Sequence, residues 1–241
     1  EVGKVDMHTA DDYIIVYGNE GKCIKARTRN QKRLVKEYYA NDLIFALGPA
    51  GTGKTFVAMG TANLLVKYGR YTGISYIVFP TMEQKQGFIP GGPEDKNEPY
   101  MQPLRDALYS LDINPDTAIL SENNLQAAKD GRAYINFMSH TYLRGTNFEN
   151  QVIIIDEFQN GFGDECKKVL TRIHDNCKTV IIGHQGQCDL YKYANKSGFK
   201  PYLDAFTKYT QDNPEDKRVA VCSLKTNHRG WFSNFCDNVE V

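Results

Sequence analysis

One segment of the sequence has the residue types and spacing that bind phosphate groups. Residues 48–55 read GPAGTGKT, which fits G-x-x-x-x-G-K-[ST] and follows an apolar run. Glycines let successive backbone N–H groups converge on phosphate oxygens, and the start of a following helix adds partial positive charge. We therefore predict that Lys54 bridges the β- and γ-phosphates of a nucleotide and that Thr55 offers its hydroxyl to Mg²⁺. The other residues of this predicted cofactor-binding loop are Gly48, Pro49, Ala50, Gly51, Thr52 and Gly53.

Two carboxylates form a second candidate for chemistry. Asp156 and Glu157 directly follow the aliphatic run 152–155, which has the composition of a buried strand. Ligands of open α/β sheets bind at the carboxyl ends of the strands, so these acids are expected beside the phosphate loop. Asp156 is predicted to hold Mg²⁺, directly or through water, and Glu157 to take the proton from the attacking water. Because a kinase must exclude water, this pair favours hydrolysis.

The elements that must position these residues follow from an alternation of apolar runs and amphipathic stretches. The runs are rich in Ile, Val and Phe and mostly lack polar alternation, which is typical of strands covered on both faces. Strands that alternate with helices predict an α/β fold with a mostly parallel sheet wrapped on both sides. The predicted strands are 43–47, 74–79, 133–137, 152–155, 179–182 and 218–224, and the predicted helices include 28–40, 54–68 and 164–175.

Two further segments set the expected domain organisation. Residues 13–26 hold two short apolar stretches around GNEG, which predicts a small β-hairpin that caps the main domain. Residues 82–103 are dense in glycine and proline, which predicts a long surface loop without regular structure. We therefore expect an N-terminal hairpin or extension over 1–27 and one domain over 28–241.

Composition excludes several classes of protein. The chain has 241 residues, 29 basic and 29 acidic side chains, and 41% hydrophobic residues, so disordered and collagen-like chains are excluded. The neutral balance gives no global argument for nucleic acid. No apolar run approaches the ~20 residues of a membrane span, and the N-terminal residues lack the apolar core of a secretory signal. Six cysteines without a C-x-x-C pair favour reduced, buried thiols over a disulfide or zinc framework. Together with the short apolar runs, this leads us to expect no membrane partner and a cytoplasmic location.

Beyond the nucleotide motifs, distinctive loops of the chain resemble those of PhoH-like ATPases. The resemblance runs from about residue 28 to about residue 199 and includes QGFIPGGPEDKNEPYMQPLRDAL, YLRGTNFENQVIIIDEFQN, LTRI and SGF. It implies a three-layer RecA-like P-loop NTPase core related to superfamily 1 helicases, with ATP and Mg²⁺ as cofactors and RNA as the expected polymer. It also implies the short, stand-alone type, which occurs in bacteriophage genomes and would then work in the host cytoplasm.

The same resemblance assigns roles to further residues by their positions. Gln31 matches the glutamine that reads adenine in helicase-like ATPases, and Gln187 resembles the one that senses the γ-phosphate and positions water. The segment SLKTNHRG, residues 223–230, is similar to the helicase motif whose arginine approaches the γ-phosphate, which makes Arg229 the first candidate for an arginine finger. Arg144 and Arg172 are the alternatives for that role.

Three departures from the family pattern bear on the substrate. His184 stands where the family has an acidic residue, so the charge expected near the γ-phosphate becomes dependent on pH. Phe79 replaces a family arginine before Pro80, and residues 82–87 diverge from the usual loop. These changes leave the predicted ATP chemistry intact and make the identity of the polymer the open part of the interpretation.

A local cluster of basic residues is the sequence feature that indicates a polymer partner. Lysines and arginines are concentrated in 22–36, either as the solvated face of a helix or as a contact for a phosphate backbone. A single core cannot close its own nucleotide cleft as a two-core helicase does. We therefore expect a homo-oligomeric ring, such as a hexamer, in which a neighbouring subunit supplies the arginine.

Three functions compete at this stage. The leading hypothesis is an ATP hydrolase that couples turnover to the binding or unwinding of RNA or other single-stranded nucleic acid. The second is a P-loop kinase that acts on a nucleotide or small molecule, and Glu157 and Gln187 argue against it. The third is an ATP-binding switch without turnover, which His184 at the acidic position keeps open.

Overall fold

The computed structural model describes residues 13–17, 23–80, 93–121, 124–143, 145–184, 186, 188 and 190–237. Within these residues the chain forms a six-stranded parallel sheet and a separate two-stranded antiparallel hairpin. The strands are β1 (Ile14–Tyr17), β2 (Cys23–Lys25), β3 (Leu43–Leu47), β4 (Ile74–Val78), β5 (Ile135–Ser139), β6 (Val152–Asp156), β7 (Lys178–Gly183) and β8 (Val219–Ser223). The α-helices are α1 (Arg29–Ala40), α2 (Lys54–Lys67), α3 (Pro93–Ser110), α4 (Pro115–Ala118), α5 (Leu125–Lys129), α6 (Gly163–Leu170), α7 (Phe199–Asp212) and α8 (Trp231–Asp237).

The six-stranded sheet is covered by helices on both faces. Its strand order is β5-β4-β6-β7-β3-β8. Because side chains alternate along a strand, Val152 and Ile154 of β6 enter one core, whereas Ile153 and Ile155 enter the other. The first core includes buried residues of α1, α2 and α3, and the second includes buried residues of α6 and α7. This arrangement confirms the predicted α/β, three-layer architecture with a parallel sheet.

The region predicted to be a long loop is in part a helix. Residues 82–92 lie outside the described part of the chain, but α3 begins at Pro93. Proline fits the first turn of a helix, where the N–H that it lacks would have no intrahelical partner. Leu104 and Leu108 are fully buried and anchor α3 in the core that also includes α2. The prediction for 93–103 is therefore wrong, because this burial outweighs the low helix propensity of the later prolines.

The other predicted elements are confirmed with small shifts at their ends, apart from the helix predicted over 164–175. The observed helix, α6, ends at Leu170. Beyond it, Ile173 forms an isolated parallel bridge with Phe148, which draws the chain into an extended conformation. The sequence keeps a helical pattern to residue 175, but the helix ends earlier because Ile173 pairs with Phe148.

The predicted N-terminal hairpin is present as β1 and β2, and it packs on α2. Ile15 is fully buried, and a Cβ at Gly60 of α2 would lie 2.1 Å from its Cγ2 atom. Only a glycine at that position permits the contact. The turn predicted over 18–21 lies outside the described residues, and the division of the chain at residue 27 stays a prediction.

The cysteines are all free, but only some are buried. Cys166, Cys177 and Cys222 are buried, and burial raises the pKa of the Cys166 and Cys222 thiols to about 12. Cys23 and Cys236 are exposed, so the expectation of buried thiols is wrong for these two. In the described ranges, no helix combines the length and the apolar character that crossing a bilayer requires.

Candidate functional site

The phosphate loop, residues 48–53, connects β3 to α2 at the carboxyl edge of the sheet. Gly48, Gly51 and Gly53 have φ angles of 145°, 75° and 83°, in the region that favours glycine. A Cβ at Gly48 would lie 2.1 Å from the carbonyl oxygen of Leu224, so no side chain fits there. The loop is therefore shaped in part by the backbone that follows β8.

Lys54 begins α2, and its ammonium group lies over the phosphate loop. Its Nζ atom donates hydrogen bonds to the carbonyl oxygens of Gly48 at 2.6 Å and of Pro49 at 2.8 Å. These neutral acceptors can be exchanged for phosphate oxygens, which form stronger, charge-assisted hydrogen bonds with an ammonium group. The position of Lys54 is thus the one that binding of phosphate requires.

Three side chains from distant parts of the sequence meet at the predicted metal position. Asp156 is buried at the end of β6, and its Oδ2 atom accepts hydrogen bonds from Thr55 Oγ1 at 3.0 Å and from the hydroxyl of Tyr76. Its Oδ1 atom accepts from the backbone N–H of Glu157 at 2.9 Å. Burial, followed by the negative charge of Asp156, raises the pKa of Tyr76 well above its usual value, so Tyr76 remains a donor.

The oxygen ligands at this position fit Mg²⁺. A hydroxyl and a carboxylate are hard oxygen ligands, and Mg²⁺ in nucleotide sites is held by one or two such groups together with phosphates of the substrate. Across the residues that the structure covers, no group of three or more His, Cys, Asp or Glu side chains could hold a metal by itself. Thr55 and Asp156 are therefore the two side chains that could hold Mg²⁺ together with the phosphates of a nucleotide.

Glu157, the predicted general base, is exposed and has a left-handed backbone with φ of 55°. Its Oε2 atom accepts a hydrogen bond of 2.5 Å from Nε2 of the buried Gln159. The other end of that amide, Oε1, accepts from the backbone N–H of His184 at 3.2 Å. Gln159 thus ties the carboxylate after β6 to the loop after β7.

Gln31 lies on the opposite side of the phosphate loop, in the first turn of α1. It completes a capping box with Thr28, and its side chain is buried. Its Nε2 atom donates to the carbonyl oxygen of Thr52 at 3.2 Å and lies 3.0 Å from Nε2 of His228. The Gln31 side chain therefore contacts the phosphate loop. That it recognises adenine stays a prediction.

Arg229 lies beside the phosphate loop of its own chain. A Cβ at Gly51 would lie 3.0 Å from the Cγ and Cδ atoms of Arg229, and the backbone N–H of His228 donates to the Gly51 carbonyl oxygen at 2.8 Å. The N–H of Arg229 is held by Asn227 Oδ1 at 2.8 Å. The structure therefore offers a candidate arginine in the same chain, whereas supply from a neighbouring subunit stays a prediction.

Arg172 is the remaining predicted residue whose position the structure describes. Gln187 and Arg144 lie outside the described residues. Arg172 follows α6, its carbonyl oxygen accepts from the N–H of Phe148, and its guanidinium donates to the Thr146 carbonyl oxygen at 3.2 Å. Since residues 146–148 precede β6, Arg172 lies at the amino edge of the sheet, away from the phosphate loop. As a finger for its own site, Arg172 is therefore excluded.

The described part of the basic cluster surrounds the start of α1. The Nζ atoms of Lys32 and Lys36 lie 5.0 and 5.3 Å from the centre of the Tyr13 ring. Arg33 forms an ion pair of 3.6 Å with Glu37, one turn further along the helix. These contacts hold three of the cations on the surface of α1.

Sequence reasoning missed three side chains of the site: Tyr76, Gln159 and His228. Tyr76 is one of two hydroxyl-bearing residues, with Ser75, in the run 74–79, and Gln159 lies two residues after the Asp-Glu pair. These are weak signals, because neither reveals what the polar group contacts. His228 directly precedes the predicted finger, yet nothing in its neighbourhood points to Gln31.

Comparison with known proteins identifies relatives of the chain. The sequence profile of the family described as "PhoH-like protein" matches residues 23–225. A PhoH-like protein of Mycobacterium leprae is 35% identical over 188 residues, which cover 76% of the chain and 50% of that protein. Protein PhoH of Escherichia coli K12 is 31% identical over 201 residues, which cover 82% of the chain and 52% of that protein. The chain thus spans about half the length of these curated relatives.

Among solved structures, the chain is similar to a helicase. The crystal structure of Pif1 helicase from Candida albicans has a TM-score of 0.40 and 18% sequence identity, and the match covers 89% of the chain and 43% of the helicase.

Proposed function

Since the chain belongs to the PhoH-like protein family of P-loop NTPases, we propose that it is a Mg²⁺-dependent ATP hydrolase. We propose further that its turnover is coupled to the binding or unwinding of single-stranded RNA, or of single-stranded DNA. The curated relatives are about twice as long as this chain. The activity, polymer and partners of the whole protein are therefore proposed as well.

The observation that carries the proposal is the meeting of Thr55 with Asp156. The two residues are distant in sequence, yet the Thr55 hydroxyl lies 3.0 Å from Asp156 Oδ2. Lys54, the residue before Thr55, places its ammonium group over the phosphate loop. A chance glycine-rich turn would have no reason to place a buried carboxylate there. The pairing is the arrangement that holds Mg²⁺ against the phosphates of a nucleotide.

Each residue of the site then has a part in hydrolysis. The phosphate loop and Lys54 bind the β- and γ-phosphates, and Mg²⁺ held by Thr55 and Asp156 would neutralise charge that develops on them. Glu157 takes the proton from the attacking water, and Gln187 orients that water. Arg229 stabilises the charge of the transition state, from its own chain or from a neighbour.

The first experiment measures the release of phosphate from ATP with and without Mg²⁺ and short single-stranded RNA or DNA at low salt. We expect no turnover without Mg²⁺ and at least about twofold stimulation by one polymer, lost as salt rises because phosphate contacts are screened. Equal rates with and without both polymers would contradict the coupling. Transfer of labelled γ-phosphate to a nucleoside faster than to water would replace hydrolysis with a kinase activity.

The assembly is tested separately. We propose a ring, with a hexamer as the expected form, in which a neighbouring subunit covers the nucleotide at the phosphate loop. Sedimentation velocity at the concentration of the assay should show an oligomer. A monomer with full ATPase activity would contradict both the ring and an arginine supplied in trans.

One observation favours a second function, an ATP-binding switch. Gln159 donates to Glu157 at 2.5 Å, so one carboxylate oxygen of the proposed base is already engaged, and His184 stands at the family's acidic position. A switch would bind ATP with measurable affinity and show no phosphate release above the uncatalysed rate. Release of phosphate that depends on Glu157 would exclude it.

A further inference from the structure

Every hydrogen-bonding position of the Gln31 side chain is used within the chain. An amide oxygen accepts two hydrogen bonds and an amide nitrogen donates two. Oε1 accepts from the backbone N–H groups of Arg27 at 3.0 Å and Thr28 at 3.4 Å. Nε2 faces the carbonyl oxygen of Thr52 at 3.2 Å and Nε2 of His228 at 3.0 Å. The side chain is only 4% exposed, so no further partner is supplied by solvent.

The orientation of this amide is fixed by its neighbours. Two backbone N–H groups can face only the oxygen, so the nitrogen must face Thr52 and His228. Thr52 presents a carbonyl oxygen, which only accepts. His228 Nε2 therefore also accepts, which requires a neutral ring that carries its proton on Nδ1. The contact is thus a directed hydrogen bond from Gln31 to His228, and it joins the first turn of α1 to the segment after β8.

That segment, residues 225–230, is held at two points close to Arg229, by Gln31 of α1 and by the phosphate loop. The His228 ring is held by Gln31, and its backbone N–H donates to the Gly51 carbonyl oxygen at 2.8 Å. The next residue is Arg229, whose side chain runs beside Gly51. The position of the arginine relative to the loop therefore depends on the bond from Gln31.

We propose that Gln31 is a positioning residue that holds segment 225–230, and with it Arg229, against the phosphate loop, and that it does not read the base of the nucleotide. Only the kinetic test of this proposal rests on the ATPase function proposed above. An amide without a spare donor or acceptor can bind adenine only by releasing Thr52 or His228, and so by releasing the arginine. It follows that the enzyme discriminates weakly between ATP and GTP at this residue.

The test compares Gln31→Ala with His228→Ala, with ATP and GTP as substrates. If Gln31 acts through His228, each variant lowers kcat at least about tenfold for both nucleotides, because the arginine is displaced. The double variant is then no worse than either single variant, since both break one connection. The ratio of kcat/KM for ATP and GTP changes less than about twofold. Thr226→Ala, an exposed change in the same segment, is the matched control and keeps the parental kcat.

A reader of adenine gives a different pattern. Gln31→Ala would then raise KM for ATP about tenfold more than KM for GTP, and His228→Ala would leave both values unchanged. That result, or fully additive effects of the two substitutions, would overturn the proposal.

A second measurement does not depend on catalysis. Hydrogen exchange of the His228 amide in the nucleotide-free protein should accelerate at least about tenfold in Gln31→Ala and remain parental in Thr226→Ala. Unchanged protection at residue 228 would overturn the proposal even if turnover fell. Accelerated exchange in a protein without ATPase activity would support the positioning role and contradict only the proposed hydrolysis.

Discussion

The two sides of the phosphate loop are held by different kinds of hydrogen bond. On one side, the metal flank, Thr55 and Tyr76 donate to the carboxylate of Asp156. On the other side, the latch flank, Gln31 joins Thr52 to His228. The metal flank is charged and built on strands β4 and β6 inside the sheet, whereas the latch flank is neutral and ends in the segment that follows the edge strand β8.

This difference separates what must stay fixed from what can move. Tyr76 and Asp156 are buried among strands paired on both sides, so displacing the carboxylate would require rearrangement of the core. Residues 225–230 are mostly exposed and are held by a few bonds between neutral groups, each with a small net contribution to stability. We infer that the metal flank is preorganised, whereas the latch flank can shift without rearrangement of the core.

The largest effect is expected at the loop between the two flanks. Lys54→Ala should weaken the binding of ATP at least about 100-fold, because charge-assisted bonds to two phosphates are lost. Isothermal titration with ATP and Mg²⁺ measures this loss. Lys67→Ala changes an exposed lysine in the last turn of the same helix and should bind as the parent does. A Lys54→Ala variant within about threefold of the parental affinity would remove the loop from the site.

The second effect separates chemistry from binding next to the metal flank. Glu157→Gln should lower kcat about 100-fold and leave the affinity for ATP within about threefold, because the amide retains the shape of the side chain but cannot accept a proton. Single-turnover kinetics together with a binding titration measure both quantities. Glu149→Gln, an exposed carboxylate before β6, is the control. Normal turnover of Glu157→Gln would disprove its role as base.

The third effect tests whether the metal flank is preorganised by Tyr76. Tyr76→Phe removes one donor to Asp156, a loss of ~2 kcal/mol for a bond to a buried charge, and leaves the carboxylate freer to rotate. The Mg²⁺ concentration for half-maximal activity should therefore rise about tenfold.

The control for Tyr76→Phe is a second tyrosine hydroxyl with a single partner. Tyr134 donates to Asn63 Oδ1 at 2.5 Å, away from the phosphate loop. Tyr134→Phe should lower the thermal midpoint without changing the Mg²⁺ requirement. An equal rise in the Mg²⁺ requirement in both variants would make the effect of Tyr76 one of general stability.

The smallest effect is expected at Asn227, in the segment that follows β8. Asn227→Ala removes one neutral bond to the backbone of Arg229 and should lower kcat about threefold, because the turn keeps its other contacts. Steady-state kinetics with ATP measure this change, and Ser233→Ala, which removes the other partner of Asn227, is the control. If Asn227→Ala lowered activity more than Tyr76→Phe, the contrast between the flanks would be wrong.

The metal flank was largely accessible from the sequence. The phosphate loop is a local motif, Asp156 ends an aliphatic strand, and the carboxyl ends of parallel strands share one edge. Tyr76 was not accessible, because its contact depends on register: it pairs with Ile154, and so its side chain shares a face with Asp156 two residues further on. A sequence alone shows neither which strands are neighbours nor how they are aligned.

The latch flank was accessible only in part. Gln31 and Arg229 were found by resemblance, but the bond that connects them through His228 joins the first helix to the segment after the last strand. The error at α3 has a similar origin. Prolines at 99 and 103 disfavour a helix locally, and only the packing of residues such as Leu104 explains why one forms.

The place of β3 in the sheet has a consequence for synthesis on the ribosome. β3 lies between β7 and β8, and the start of the phosphate loop is fixed by Gly183 and Leu224. Both partners are translated long after the loop has left the exit tunnel. The nascent chain therefore carries its nucleotide motif without the strands that shape it, and ATP can stabilise the domain only once the last strand has emerged.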